Sequence, residues 1–197
     1  MSLVTLPSQF TPSSCVFSQM VSQRVNASPF GGSEQAVDLL NDRWKVSIQL
    51  PMKDYNSAAY LEAFIGAMRG QTNTVALYHF AKPVPRGTAR GTQTLSASVA
   101  QGASSLPITG ISPANGTYLA GDMIGVAPQL FMVAADTNAV AGAANVPITG
   151  RVRSALSSGA SVVWNAPTAL FRLLATSDIT YIAAFSQAAS FDFGEAI

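Results

Sequence analysis

Trp44, Val46, Ile48 and Leu50 alternate with Lys45, Ser47 and Gln49, so this stretch carries one apolar and one polar face at period two. That is the pattern of a half-buried β-strand. Pro51 lacks the N–H that a ladder would need, and beyond it the period changes. Ala58, Leu61, Phe64, Ile65 and Met68 follow helical spacing, which predicts a helix over about 57–69, capped by Asn56 or Ser57 and stopped by Gly70. Residues 71–80 then read as a strand, with Val75 and Leu77 on one face and Ala76, Tyr78 and Phe80 on the other.

Upstream, 15–25 is rich in β-branched and aromatic residues and predicts a strand, while Pro7 and Pro12 make 1–13 an extended arm. NASPFGGS at 26–33 is a turn cluster, and 34–41 leads from it into the Trp44 strand. Two prolines, two glycines and two arginines in KPVPRGTARG, 82–91, mark a boundary. Beyond it short strands are predicted at 94–99, 105–108, 122–126, 129–134, 145–148 and 161–164, separated by Gly, Pro, Asn and Asp turns. The phrase Pro-Ile-Thr-Gly occurs at 107–110 and again at 147–150, which suggests a duplicated strand-turn unit. Asn115-Gly116 reads as a hairpin turn between Ile111 and Tyr118. Strand patterns resume at 169–174 and 180–185, and Phe191 and Phe193 alternate around Asp192 at the end.

These elements predict a mainly β (α+β) chain with one flanking helix. Its first domain is split, 1–88 plus 165–197, around an inserted all-β domain, 89–164, built as a small β-barrel or β-sandwich. The aromatic tail is expected to pair with the opening strands.

Composition adds an expectation about assembly. Hydrophobic residues make up 48% of the 197 positions and charged residues 11%, a weakly charged exterior that favours a homo-oligomer. No run reaches the length of a membrane-spanning helix. A net charge of +1 with dispersed Lys and Arg leaves no footprint for nucleic acid. One cysteine, Cys15, excludes an internal disulfide, and the opening residues show no secretory signal, so synthesis in a cytoplasm is expected.

Candidate chemistry is sparse. His79 is the one histidine and sits in a predicted strand with no nucleophile or carboxylate motif to serve, so a structural or interface role is expected. Cys15 adjoins Val16 and Phe17 and reads as a small buried hydrophobe. Asp38 and Asp42 read as a solvated face rather than a cation site. The paired arginines Arg86 with Arg90 and Arg151 with Arg153 read as salt-bridge partners. No catalytic residue, metal site or cofactor is expected. Ser28, Pro29, Phe30, Trp44 and Arg86 are the candidate assembly contacts, with burial in the core an equal reading for Trp44. Tyr118, Phe131 and Trp164 are the aromatic residues on which the inserted domain could hold a glycan.

The order of SPFGGSEQ (28–35), RWKVSIQLP (43–51), LEAFIGAMRGQ (61–71), PRGTARG (85–91), LAGDMIGV (119–126) and the terminal SFDFGEAI resembles tail proteins of long-tailed bacteriophages, and within them the distal tail, or tail-tip ring, group. The resemblance implies a tail-tube-like β-sandwich with a flanking helix and a non-enzymatic structural role in the virion. It also implies a hexameric ring joining the tail tube protein to the hub and tape-measure proteins. The alternative role it leaves is a host-surface glycan-binding module. This chain is shorter than the better-known members and carries its extra β module as an insertion.

Overall fold

The computed structural model describes residues 2–27, 31–39, 41–175 and 178–196. The chain is mainly β, with strands far outweighing the one helix among the described residues, as the period-two patterns predict. It folds as two compact units. The first comprises Met1–Ser18, Trp44–Val84 and Asn165–Ile197, and the second Gln19–Arg43 and Pro85–Trp164.

The first unit is built on a six-stranded sheet, in the order Leu3–Val4, Thr74–Leu77, Ala169–Leu173, Ala189–Glu195, Arg43–Leu50, Ser14–Met20. The aromatic tail pairs antiparallel with the Trp44 strand, Phe191 opposite Ile48 and Phe193 opposite Val46. Directly paired residues share a face, so these side chains form one apolar layer with Phe171, Leu173, Val75 and Leu77, all buried. The helix Tyr55–Met68 adds Ala58, Leu61, Phe64 and Met68 to that core. Phe10, at the end of the N-terminal arm, completes it: its ring lies 5.7 Å from Phe64, 5.9 Å from Phe80 and 6.1 Å from Phe191. Burial of side chains this large stabilises by roughly 1.5–3 kcal/mol each.

The helix begins earlier than its apolar stripe suggests. Asp54 is the N-cap, its carboxylate accepting the Ser57 N–H at 3.1 Å, and neither Asn56 nor Ser57 serves. Those hydrogen bonds from Ser57 hold the Asp54 carboxyl below its ordinary range. Arg69 closes the helix in the left-handed conformation, with Gly70 following it at positive φ. The strand after it spans Thr74–Leu77, shorter than the 71–80 pattern.

The second unit holds a closed barrel. Neighbouring strands run Ala143–Pro147, Ser105–Thr109, Gln93–Leu95, Ser161–Val162, Met123–Val126, Gln129–Met132, and the last returns to the first through the Val133–Ile148 bridge. The bridge between Gly125 and Val163 joins the two halves on the other side. A closed sheet has no exposed edge. Leu95, Leu106, Ile108, Tyr118, Ile124, Val126, Phe131 and Val146 are among the residues that fill its interior.

The repeated Pro-Ile-Thr-Gly phrase marks an internal two-fold in this barrel. Ser96 donates to the Pro107 carbonyl and Ala134 to the Pro147 carbonyl, both at 2.9 Å. Gly159 donates to the Leu95 carbonyl at 2.8 Å, just as Gly121 donates to that of Val133 at 2.9 Å. The last strand of each half therefore pairs with the first strand of the other, and the two phrases lie on the adjoining strands between them. Gly110 and Gly150 both have positive φ, 78° and 74°, and a Cβ at Gly110 would fall 2.3 Å from the Thr92 carbonyl oxygen. Each phrase needs its glycine to turn the chain out of its strand.

Two expectations are corrected here. Residues 19–43, counted with the split domain on sequence, cluster with the barrel-containing unit. Asn115-Gly116 does not join Ile111 to Tyr118 in a hairpin. Gly116 donates to the Pro113 carbonyl in a tight turn, while Tyr118 pairs with Thr137.

Candidate assembly surface

Strands Gln23–Ala27 and Glu34–Asp38 pair antiparallel over five positions, from Gln23 opposite Asp38 to Ala27 opposite Glu34. Every residue of both strands is exposed. Val25 and Ala36 form the centre of one face, and Val37 sits beside Arg24 on the other. The base of this ribbon is tied down. Leu39 donates to the Ser22 carbonyl at 2.9 Å, and Ser22 donates its own N–H to Asp42 at 3.1 Å. Arg151 forms a half-exposed ion pair with Asp38 at 3.8 Å. Asp42 also accepts from the Gln19 amide at 3.4 Å, so the two carboxylates read from sequence as a solvated face are anchors for the ribbon. A ribbon with no buried face gains almost nothing from the hydrophobic effect, and an isolated hairpin of this kind is marginal in water.

Of the predicted assembly contacts, Ser28, Pro29 and Phe30 lie outside the described residues. Trp44 is 4% exposed and packs against Phe17, with ring centroids 6.2 Å apart, so its surface is already used by its own core. Its backbone N–H goes to the buried carboxylate of Glu195 at 3.0 Å. Arg86 is on the surface, but its guanidinium is turned back to the Ala120 carbonyl and to Asp122, 3.8 Å away. Arg90 is likewise committed: it donates to the carbonyls of Pro85, Gly87 and Ala89 and lies 4.9 Å over the Trp164 ring.

The aromatic residues named for a glycan platform do not form one. Tyr118 and Phe131 are buried in the barrel, and the Trp164 indole donates to the Gly91 carbonyl at 2.9 Å. Burial pushes the Tyr118 hydroxyl well above its ordinary pKa, and that hydroxyl donates to Gln93 at 2.8 Å.

His79 stacks on Phe17, centroids 4.6 Å apart and planes 17° from parallel. Burial, with Lys82 nearby, lowers its pKa. Burial raises the Cys15 thiol, partly offset by a hydrogen bond from the Phe80 backbone, and so works against thiolate formation. A recess of about 470 Å³ lies between the arm and the 78–80 segment, lined by Leu6, Pro7, Phe10, Pro12, Tyr78 and Phe80 among others. Its lining holds no acid, base or cation. Among the described residues no three His, Cys, Asp or Glu side chains gather as metal ligands, and no helix is long and apolar enough to cross a membrane.

The surface that stands out is therefore the ribbon, which the sequence patterns met only in part, where the strand predicted over 15–25 reaches into Gln23–Ala27 and at the turn cluster that follows. Exposed strands with no apolar alternation leave no period to detect, so EQAVD read as a connection. No protein-family model matches the chain, and no curated protein matches it in sequence.

Proposed function

We propose that the chain is a non-enzymatic structural protein that works as an assembled homo-oligomer, in the manner of a tail-tip ring joining a phage tail tube to its hub. The observation that carries this reading is the Gln23–Ala27/Glu34–Asp38 ribbon, exposed on both faces and apolar at Val25 and Val37. A chain gains little by extending such a ribbon into water, and much by laying it on a neighbour, where main-chain pairing and burial both become available. The low charge of the whole chain supports the same reading, as do the ordered motifs that resemble tail-tip proteins.

In this role the protein acts through shape and contact. Electron microscopy and mass measurement of the purified full chain test the reading. A closed ring of copies, also found in tail particles, is expected. A protein that stays monomeric at high concentration and is missing from those particles overturns it.

A further inference from the structure

The first unit has an open sheet, and its two ends differ. At one end Leu3–Val4 is a strand of two residues, paired parallel with Thr74 and Val75. A very short edge strand is one of the ordinary ways to keep a sheet from extending. At the other end Ser14–Met20 runs for seven residues, SCVFSQM, with no charge and no proline. The strand itself carries no lysine, no inward charge and no residue that lacks an N–H.

Its exposure alternates. Cys15 and Phe17 turn inward, Phe17 onto His79, Trp44 and Phe171, while Ser14, Val16, Ser18 and Met20 turn outward. Val16 is 56% exposed and Met20 52%. The edge thus offers a row of backbone donors and acceptors beside an uncharged, partly apolar outer face.

We propose that this edge pairs antiparallel with the same strand of a second copy, centred on Phe17. The chemistry of the edge restricts the occupant to an extended chain, since only that matches alternating N–H and C=O groups along a strand. Its sequence favours itself. With no charged side chain, antiparallel apposition sets no like charges opposite one another, and Val16 meets the partner's Ser18 on the outer face in both halves of the pair. A charged strand would bring ions against groups that offer them no counter-ion.

This goes beyond the tail-tip reading and is independent of it. A two-fold edge contact closes on itself as a dimer and cannot generate a ring, which needs a different, head-to-tail contact.

The test uses two double variants of the full chain, both on exposed outward positions. In Val16→Lys with Ser18→Lys, the introduced lysines oppose each other across the two-fold. In Val16→Glu with Ser18→Lys, each introduced acid opposes an introduced base. Sedimentation equilibrium is expected to show wild-type copies, or rings of copies, associating in pairs, with pairing at least about tenfold weaker in the lysine variant and recovered in the mixed variant. Unchanged thermal melting of both variants shows that the fold is kept. The proposal is overturned if the wild type has no two-fold association, if the lysine variant associates as tightly as wild type, or if the mixed variant fails to recover. Wild-type rings that never associate in pairs would overturn the edge pairing and leave the tail-tip reading standing.

Discussion

Asp122 accepts the backbone N–H of Arg86 at 2.8 Å, so the residue chosen on sequence for its guanidinium is held by its main chain. The same carboxylate accepts from Gly87 and from Leu119, each at 3.0 Å, and its side chain is almost wholly buried. One acid therefore fastens the start of the 85–91 segment to the LAGD turn. Asp122→Ala would strand three N–H groups with no acceptor. A loss of about 3–5 kcal/mol in urea unfolding is expected, near that of breaking a buried charge network. Arg86→Ala, which removes only an exposed guanidinium, should cost under about 1 kcal/mol.

Phe10 tests whether the N-terminal arm belongs to the core. Its ring meets Phe64, Phe80, Phe191 and Phe193, which come from the helix, the segment after Leu77 and the terminal strand. Phe10→Ala should destabilise by about 3–5 kcal/mol, as expected for a large buried ring whose site cannot collapse. Leu3→Ala, at an exposed position, should fall within about 0.5 kcal/mol of wild type. Equal effects from the two would show that the arm is not packed as described.

The legible parts of the sequence were those where burial on one face leaves a period. Trp44, Val46, Ile48 and Leu50 fall on the buried face, and the helix buries Ala58, Leu61, Phe64 and Met68. The cap was misplaced because the stripe reports only inward positions and begins one turn inside the helix, at Ala58, whereas Asp54 sits outside it. Trp44 could not be assigned because the same apolar bulk suits a core and an interface; the register against the terminal strand decides it. In the barrel the individual strands were visible but their partners were not. Exchange of strands between the two halves rests on pairings such as Gln93 with Val162, far apart in sequence, which local patterns do not encode.

His79 gives a pH prediction. Its folded pKa is lowered, first by burial and then by Lys82, so the folded state favours the neutral ring. The unfolded chain then binds the proton more readily. The contribution to stability is full above the ordinary histidine pKa, about 6.5, and is lost as pH falls through the folded value. His79→Phe keeps a ring on Phe17 and removes the titration. Chemical unfolding between pH 7 and about 5 should show wild type losing more stability than the variant. Parallel profiles would mean that the stacked ring does not titrate differently on folding.

The ribbon supplies the sharpest separation of folding from assembly. Val25 and Val37 contribute little to the folded chain, since both are exposed, and they lie on opposite faces, so a surface laid over either face of the ribbon covers one of them. Val25→Asp with Val37→Asp should change the urea midpoint by no more than about 0.5 kcal/mol equivalent, the usual range for exposed substitutions. If either face of the ribbon docks on a neighbouring copy, the unpaired carboxylate buried on that face would cost several kcal/mol per contact and assembly should be lost. The same samples answer both points: circular dichroism in urea reads the fold, and mass photometry reads the assembly. Assembly that survives both substitutions would place the contacts elsewhere and remove the observation on which the structural role rests.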